Sequence, residues 1–403
     1  MSVDASPTRE WVGHDAGSSG YRRILVGLFA AGIAAFGQMY STQGILPTVA
    51  QALEVNEASA ALTVSTATLG LAASVLGWSW VADRIGRAPA MKIALSISMV
   101  LGLLTPLAPG FTTLLVLRGL EGIALGGVPA LAVAYLADEI HVRHVSLAAA
   151  IYISGTTVGG LLGRVITGPF ADLGGWRLGV TAGGILSAIA SIIAITLIPR
   201  DRAWVRPVGK PATSVRQGVL ANLRDPGMLV LYGQAALLMG GFVATYNYLG
   251  FRLEREPFGL PVAISSQIFL AYLGGTISSS VAGRLASTYG RRKVMLTCVS
   301  IMIVGVLMTF PDNLVMVLAG LLVMTTGFFA AHGVASGWVG ARARVGKAQA
   351  SALYNLFYYG GSSLFGWLLG YAYVVGWWGL ATAVIALALI SLTWSAIATR
   401  DQS

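Results

Sequence analysis

Runs of roughly 20 predominantly apolar residues recur along this chain, each long enough to cross the ~30 Å hydrocarbon core of a bilayer as an α-helix. They fall at 24–48, 59–82, 90–108, 112–136, 146–169, 177–198, 227–250, 262–285, 294–311, 313–338, 348–372 and 376–398, which makes twelve spans. Charged residues are only 10% of the 403 positions, against about 25% in a soluble domain. So little charge cannot cover a water-soluble particle of this size, and lipid must be the main solvent. Gly and Pro within the runs, Pro47 and Pro129 among them, fit this reading, because neighbouring helices satisfy the backbone groups they free.

The net charge of +10 does not mark a nucleic-acid binder, which needs a basic surface facing water. The cations sit in short segments between apolar runs. One side holds Arg22, Arg23, Arg84, Arg87, Lys92, Arg143, Arg291, Arg292, Lys293, Arg342, Arg344, Lys347 and Arg400, and the link after the sixth run adds Arg200, Arg202, Arg206, Lys210, Arg216 and Arg224. The other side has only Arg177, Arg252 and Arg255. The positive-inside rule therefore places both termini and the link in the cytoplasm, and a bacterial-type inner (cell) membrane is the expected location. Residues 1–20 are polar and read as a disordered cytoplasmic tail without the features of a signal peptide. Cys298, the only cysteine, excludes an internal disulfide or a cysteine metal site.

The link at 199–226 separates a first set of six spans, 21–198, from a second, 227–399, with a short tail at 400–403. The halves echo one another. Gly86-Arg87 at the end of the second span and Gly290-Arg291 at the end of the eighth are 204 positions apart; Tyr152, Gly159, Leu162 and Gly168 match Tyr354, Gly361, Leu364 and Gly370 at an offset of 202. Parallel repeats of this kind are the expected ancestry of a rocking transporter.

The segment Asp83-Arg84-Ile85-Gly86-Arg87 resembles the loop signature G-x-L-A-D-R-x-G-R-R between helices two and three of the major facilitator superfamily. Ser79 stands for its first Gly and Ala88 for its last basic residue; the second copy keeps Gly283, Leu285, Ala286, Gly290, Arg291 and Arg292 but has Ser287 in place of the Asp. The resemblance spans the chain from about Arg22 to Arg400. It implies an all-α membrane protein of twelve transmembrane helices in two pseudo-symmetric six-helix bundles around a central cavity, working by alternating access. A carboxylate at the end of one bundle can face the positive N-terminus of a helix in the other. Asp83 is thus expected near Lys347 to Ala350 when the cytoplasmic side is shut, and the family's charge relay implies that Arg87 bridges to Asp138 or Glu139. These residues, with Arg84, Gly86, Gly290 and Arg291, form the expected conformational latch; the alternative is that Asp83 and Arg87 are surface charges that only fix topology.

Arg118-Gly-Leu-Glu-Gly122 in the fourth span resembles the superfamily's R-x-x-Q-G, with Glu121 in place of Gln. A charge at membrane depth costs at least ~2.5–3.5 kcal/mol and is a functional candidate by default. At i and i+3 the two can also pair as a structural unit. Glu121, the only carboxylate deep in a span, is the first proton-coupling candidate; Arg118 would tune it, and His332, the only histidine in a span, is the other candidate. The fifth span's Gly155-x-x-x-Gly159-Gly160-x-x-Gly163-Arg164 is similar to the antiporter signature G-x-x-x-G-P-x-x-G-G, with Gly160 for Pro and Arg164 for the last Gly. Arg164 either faces the pathway or snorkels to the outer headgroups. Helices one, four, seven and ten line the superfamily's cavity, which makes Gln38, Tyr40 and Gln43 of the first span, Tyr246 and Asn247 of the seventh, and a stripe of Tyr354, Asn355 and Tyr358 in the eleventh, candidates for substrate contact; helix packing is the alternative for each.

The function expected is secondary active transport, not enzymatic catalysis: proton-coupled export of a small organic molecule. The stretches Tyr152 to Gly155, Ala330 to Gly337 and Gln349 to Tyr354 are similar to arabinose-efflux-like and drug-exporter permeases. Import by proton symport or facilitation is the alternative, and a non-transporting receptor a remote one. The partners implied are a small-molecule substrate, protons and the lipid bilayer, with no cofactor, metal or nucleic acid and a monomeric state. No G-x-x-x-x-G-K-[ST] motif occurs, which argues against ATP-driven transport by this chain alone. Because Arg118 and Arg164 outnumber Glu121, an anionic substrate is expected.

Overall fold

The computed structural model describes residues 11–204 and 215–398. Residues 1–10 of the expected tail, the linker stretch with Arg206 and Lys210, and the C-terminal tail with Arg400 lie outside them. The chain forms α1 (Ser19–Ala52), α2 (Glu57–Ile85), α3 (Arg87–Leu107), α4 (Phe111–Glu139), α5 (Val145–Val165), α6 (Thr167–Leu197), α7 (Pro226–Glu254), α8 (Val262–Tyr289), α9 (Arg291–Met308), α10 (Leu314–Arg342), α11 (Lys347–Leu368) and α12 (Trp377–Ile397). Ten are long and apolar enough to cross a membrane on length and composition. The other two are α9, which opens on Arg291, Arg292 and Lys293, and α11, which carries the Tyr354 to Tyr359 polar stripe. Among the described residues there is no β-sheet, so the all-α class holds.

Packing repeats between the halves. In the first, α1 packs on α5 and α6, α4 on α2 and α3, and α3 on α6. In the second, α7 packs on α11 and α12, α10 on α8 and α9, and α9 on α12. The same exchange relates the contacts across the middle, α2 with α11 and α5 with α8. This is the pseudo-symmetric pair of six-helix bundles that the sequence implies. An even number of spans puts both ends and the linker on one face, called here the terminal face.

Local chemistry fixes the helix ends. Asn56, Asp225 and Asn313 cap α2, α7 and α10 by accepting backbone N–H bonds, which satisfies donors that a helix start leaves free. Gly86 and Gly290 turn the chain between α2 and α3 and between α8 and α9 at φ 94° and 88°, a backbone conformation other residues avoid. The fifth and sixth spans differ from expectation. Helix resumes at Thr167, one residue after α5, and the reversal comes at Gly174 and Gly175, where φ is 76° at Gly175. Glycine there moves the turn into what the apolar pattern reads as the loop's end.

Residues 11–18 of the expected loose tail are docked. His14 pairs with Ile140 through backbone bonds, its amide donating to the Glu139 carbonyl at 2.8 Å and its carbonyl accepting from the His141 amide at 3.1 Å. Trp11 packs edge-on against His14, with Arg202 above its ring. Burial and the nearby Arg202 hold the His14 imidazole below its ordinary value.

Candidate transport site between the halves

The first span is discontinuous at its polar cluster: helix ends at Met39 and resumes at Leu46 after a 3₁₀ turn at Gln43–Ile45. Breaking a helix in lipid frees carbonyls that must find donors. Arg118 supplies them: Nη1 donates to the Gln38 carbonyl at 3.0 Å, Nη2 to the Met39 carbonyl, and Nε to the Thr63 carbonyl at 3.0 Å. Glu121 pairs with Arg118 and accepts from Gln38 Nε2 at 3.0 Å and from the Thr105 hydroxyl. Both charged side chains are fully buried. The network ties α1, α2, α3 and α4 together inside the first bundle, all its partners coming from that half. Gln38, expected at the cavity, belongs to it.

Arg164 lies at the interface and does not snorkel; it is 2% exposed. Its Nε donates to Gln43 Oε1 at 2.6 Å and its Nη1 to the Gly160 carbonyl at 2.5 Å. The guanidinium stacks over Tyr40 of α1 at 3.6 Å, with Tyr272 and Phe269 of α8 at 4.8 and 5.1 Å. Small residues make this possible. A Cβ on Gly163 would lie 2.2 Å from the Gly37 carbonyl, and Gly155 and Gly159 meet the α1 backbone at Phe29 and Ile33 as closely, so α5 lies directly against α1. Gln43 Nε2 donates to Asn247 Oδ1 at 2.7 Å, joining the two candidates across the halves.

In the second half, His332 Nδ1 and the Tyr354 hydroxyl are 2.9 Å apart, and the Tyr358 ring lies 4.6 Å from the imidazole. A cavity of about 10 Å³ beside them is bordered by Gln234, whose buried amide has no partner at either end. Tyr246 bonds to Thr325 at 2.7 Å and packs in an aromatic cluster with Phe242, Phe269 and Tyr272. Asn355 is exposed and is not brought to these groups. Gln234 and Tyr272 were not singled out from sequence; a lone Gln early in the seventh run was the available signal for one, while a Tyr in an apolar run gives little for the other.

Polar contacts between the halves lie toward the face opposite the termini: Gln43 with Asn247, Glu57 with Arg255 at 2.7 Å, Ser363 Oγ to the Ser65 carbonyl at 2.5 Å, and Gln267 to the Val165 carbonyl at 3.4 Å. At the terminal face Asp83 is exposed and makes no hydrogen bond or ion pair among the described residues, so it does not reach the start of α11 here. Arg87 pairs with Asp138, whereas Glu139 accepts from the Arg202 and Ala203 amides at 2.6 and 2.8 Å. Arg84 stacks on Trp80. Asp201, which sequence reasoning missed, accepts from the Ala88 amide at the start of α3; burial pushes its carboxyl above the ordinary range, against that hydrogen bond. Arg291 borders a terminal-face recess with Asp225 and Arg342, themselves ion-paired at 2.7 Å.

Two bundles of six helices, related by duplication, with polar groups converging between them, define a membrane transporter. A profile of the Major Facilitator Superfamily matches residues 28–275. The chain is 37% identical over 377 residues to the inner membrane transport protein YnfM of Escherichia coli (strain K12), covering 93% of this chain and 90% of that one. It is 35% identical over 377 residues to the MFS-type transporter YybF of Bacillus subtilis (strain 168), covering 93% of each. A crystal structure of a bacterial homologue of the human lysosomal transporter Spinster, inward-facing and unoccupied, superimposes with a TM-score of 0.78 at 15% identity, over 96% of this chain and 98% of that one. The chain belongs to the major facilitator superfamily. It is a multi-pass membrane transporter and not an enzyme.

Proposed function

We propose that this transporter exports a small organic molecule in exchange for protons, with the terminal face in the cytoplasm. The observation that carries the reading is the convergence of Gln43, Arg164, Asn247 and Tyr272, contributed by both halves, beside polar contacts that join the halves toward the far face. A site so placed is reached from one side at a time as the bundles rock. The glycine stripe of α5, packed against α1, supports export through its likeness to the antiporter signature. His332 carries the coupling proton in this reading. It lies beside a small cavity and shares its hydrogen bond with Tyr354, whereas Glu121 is held by three donors in the first bundle's core.

The test is proton movement in proteoliposomes containing the purified protein, a pH-sensitive dye and a panel of organic solutes added singly. Exchange predicts that a transported solute drives protons the opposite way and that His332→Gln uncouples the two. Solute flux indifferent to collapse of the pH gradient would make the protein a facilitator; protons moving with the solute would make it a symporter.

A further inference from the structure

Arg164 is a buried cation for which the protein supplies no anion: among the described residues no carboxylate pairs with it. Of the five N–H donors of a guanidinium, one is used by Gln43 and one by Gly160. The Tyr40 hydroxyl is within reach of a further one, which leaves at least two. Beside it, Tyr272 presents a second donor without a partner: the ring is 8% exposed and its hydroxyl is buried and unbonded. Unpaired buried donors are costly, and a buried charge without its counter-charge more so. Two such groups from opposite halves, 4.8 Å apart from guanidinium carbon to ring centre, call for one acceptor that is negatively charged and has two oxygens. The surroundings are ring faces: Tyr40 and Phe269 flank the guanidinium, Tyr246 stacks on Phe269 with centres 5.0 Å apart, and the partly exposed Tyr358 and Tyr359 stand at mid-span of α11. Flat apolar walls suit a flat apolar body.

We infer that Arg164 and Tyr272 form the carboxylate-binding end of the transport site and that its substrate is a small aromatic carboxylate. This rests on the reading of the interface as the transport site. The carboxylate accepts from the Nη edge of Arg164 and from the Tyr272 hydroxyl, while its ring lies among Tyr40, Phe269 and the tyrosines of α11. Because the donors come from α5 and α8, on opposite sides of the interface, the ligand itself links the halves.

Binding to the purified full-length protein in detergent, with no gradient, tests this with benzoate, benzylamine and acetate as probes. Benzoate is expected to bind and raise the unfolding temperature, with benzylamine at least about tenfold weaker because it lacks the hydrogen-bonded carboxylate, and acetate at least about tenfold weaker because it lacks the ring that buries apolar surface. Arg164→Gln should weaken benzoate by about 10- to 100-fold. Tyr272→Phe removes one unbonded hydroxyl and keeps the ring, so the ligand-free protein should be as stable as the parent or more so, yet bind benzoate about tenfold more weakly. That variant carries the test if Arg164→Gln does not fold. Benzylamine or acetate binding as tightly as benzoate, or benzoate binding unchanged in both variants, would overturn the assignment. Benzoate binding that depends on Arg164 without proton-linked flux would sink the exchange mechanism instead, so the two failures are separable.

Discussion

Replacing Glu121 by Gln separates a structural charge from a proton carrier. Glu121 neutralises Arg118, and Arg118 in turn holds the carbonyls of Gln38, Met39 and Thr63 that the broken α1 and its neighbour present. The amide keeps one oxygen that can accept from Arg118. Its new NH₂ group meets Gln38, whose Oε1 has no partner, so a turn of that amide lets it accept. The hydrogen bonds are therefore largely recoverable, and what is lost is the counter-charge of a fully buried cation. Breaking a buried pair costs about 3–5 kcal/mol, and the recovered bonds place this case near the lower end. At about 2–4 °C per kcal/mol for a unit the size of one bundle, the unfolding temperature should fall by on the order of 10 °C. Thermal unfolding in detergent measures it, and the double substitution with Arg118→Gln should be less destabilising than the sum of the two. Per folded molecule, proton-linked flux should persist. Unchanged unfolding with proton coupling abolished would refute the reasoning and return the proton to Glu121.

Three further outcomes are expected. Glu57→Gln removes the Glu57–Arg255 pair at the far face; Arg255 is 60% exposed, so the pair is worth about 0.2–1 kcal/mol and accessibility labelling of single cysteines introduced at the far face should rise by no more than roughly fivefold. Gly163→Ala drives a methyl into the Gly37 carbonyl and should destabilise by about 1–3 kcal/mol or more, whereas Gly337→Ala, which meets nothing within 4 Å inside α10, should be neutral or stabilising by up to about 1 kcal/mol in the same unfolding assay. The docked tail binds fewer protons than the free one, because the His14 imidazole is held below its ordinary value by burial and Arg202; docking, read by Trp11 fluorescence, should therefore weaken as pH falls through 6.5.

The spans and their division were legible because lipid imposes a one-dimensional rule: every stretch that crosses must be apolar for about 20 residues. The duplication was legible too, since Gly86 and Gly290 serve the same positive-φ turn. Partnerships within one helix, such as Arg118 with Glu121 at i and i+3, could be read as a possibility from spacing. What the spacing could not convey is that Arg118 mends a break in α1 some 80 residues earlier. Arg164 shows the same limit: its place late in α5 is compatible with snorkelling, and only the packing of α1 and α8 around it shows that the side chain is buried between them. The docked tail was hidden because its hydrogen bonds are backbone bonds to Ile140 and its neighbours, and these leave no trace in side-chain pattern.

The halves match in packing but not in chemistry, and that difference bears on how a rocking site couples ligand to motion. The first bundle contributes the buried guanidinium of Arg164; the second contributes the rings of Phe269 and Tyr272 and the His332–Tyr354 pair. A ligand can shift the equilibrium between two states only by binding them with different affinity. In this structure Arg164 and Tyr272 stand together under the far-face contacts. Any rocking that parts α5 from α8 separates the two donors, so an anion held by both favours the arrangement in which they meet, and an anion held by Arg164 alone favours neither. The coupling between binding and closure should then follow the Tyr272 hydroxyl more closely than it follows the Arg164 charge. Tyr272→Phe would diminish benzoate's protection of introduced far-face cysteines from labelling by a larger factor than it diminishes benzoate affinity; equal losses would mean that the ligand does not join the bundles.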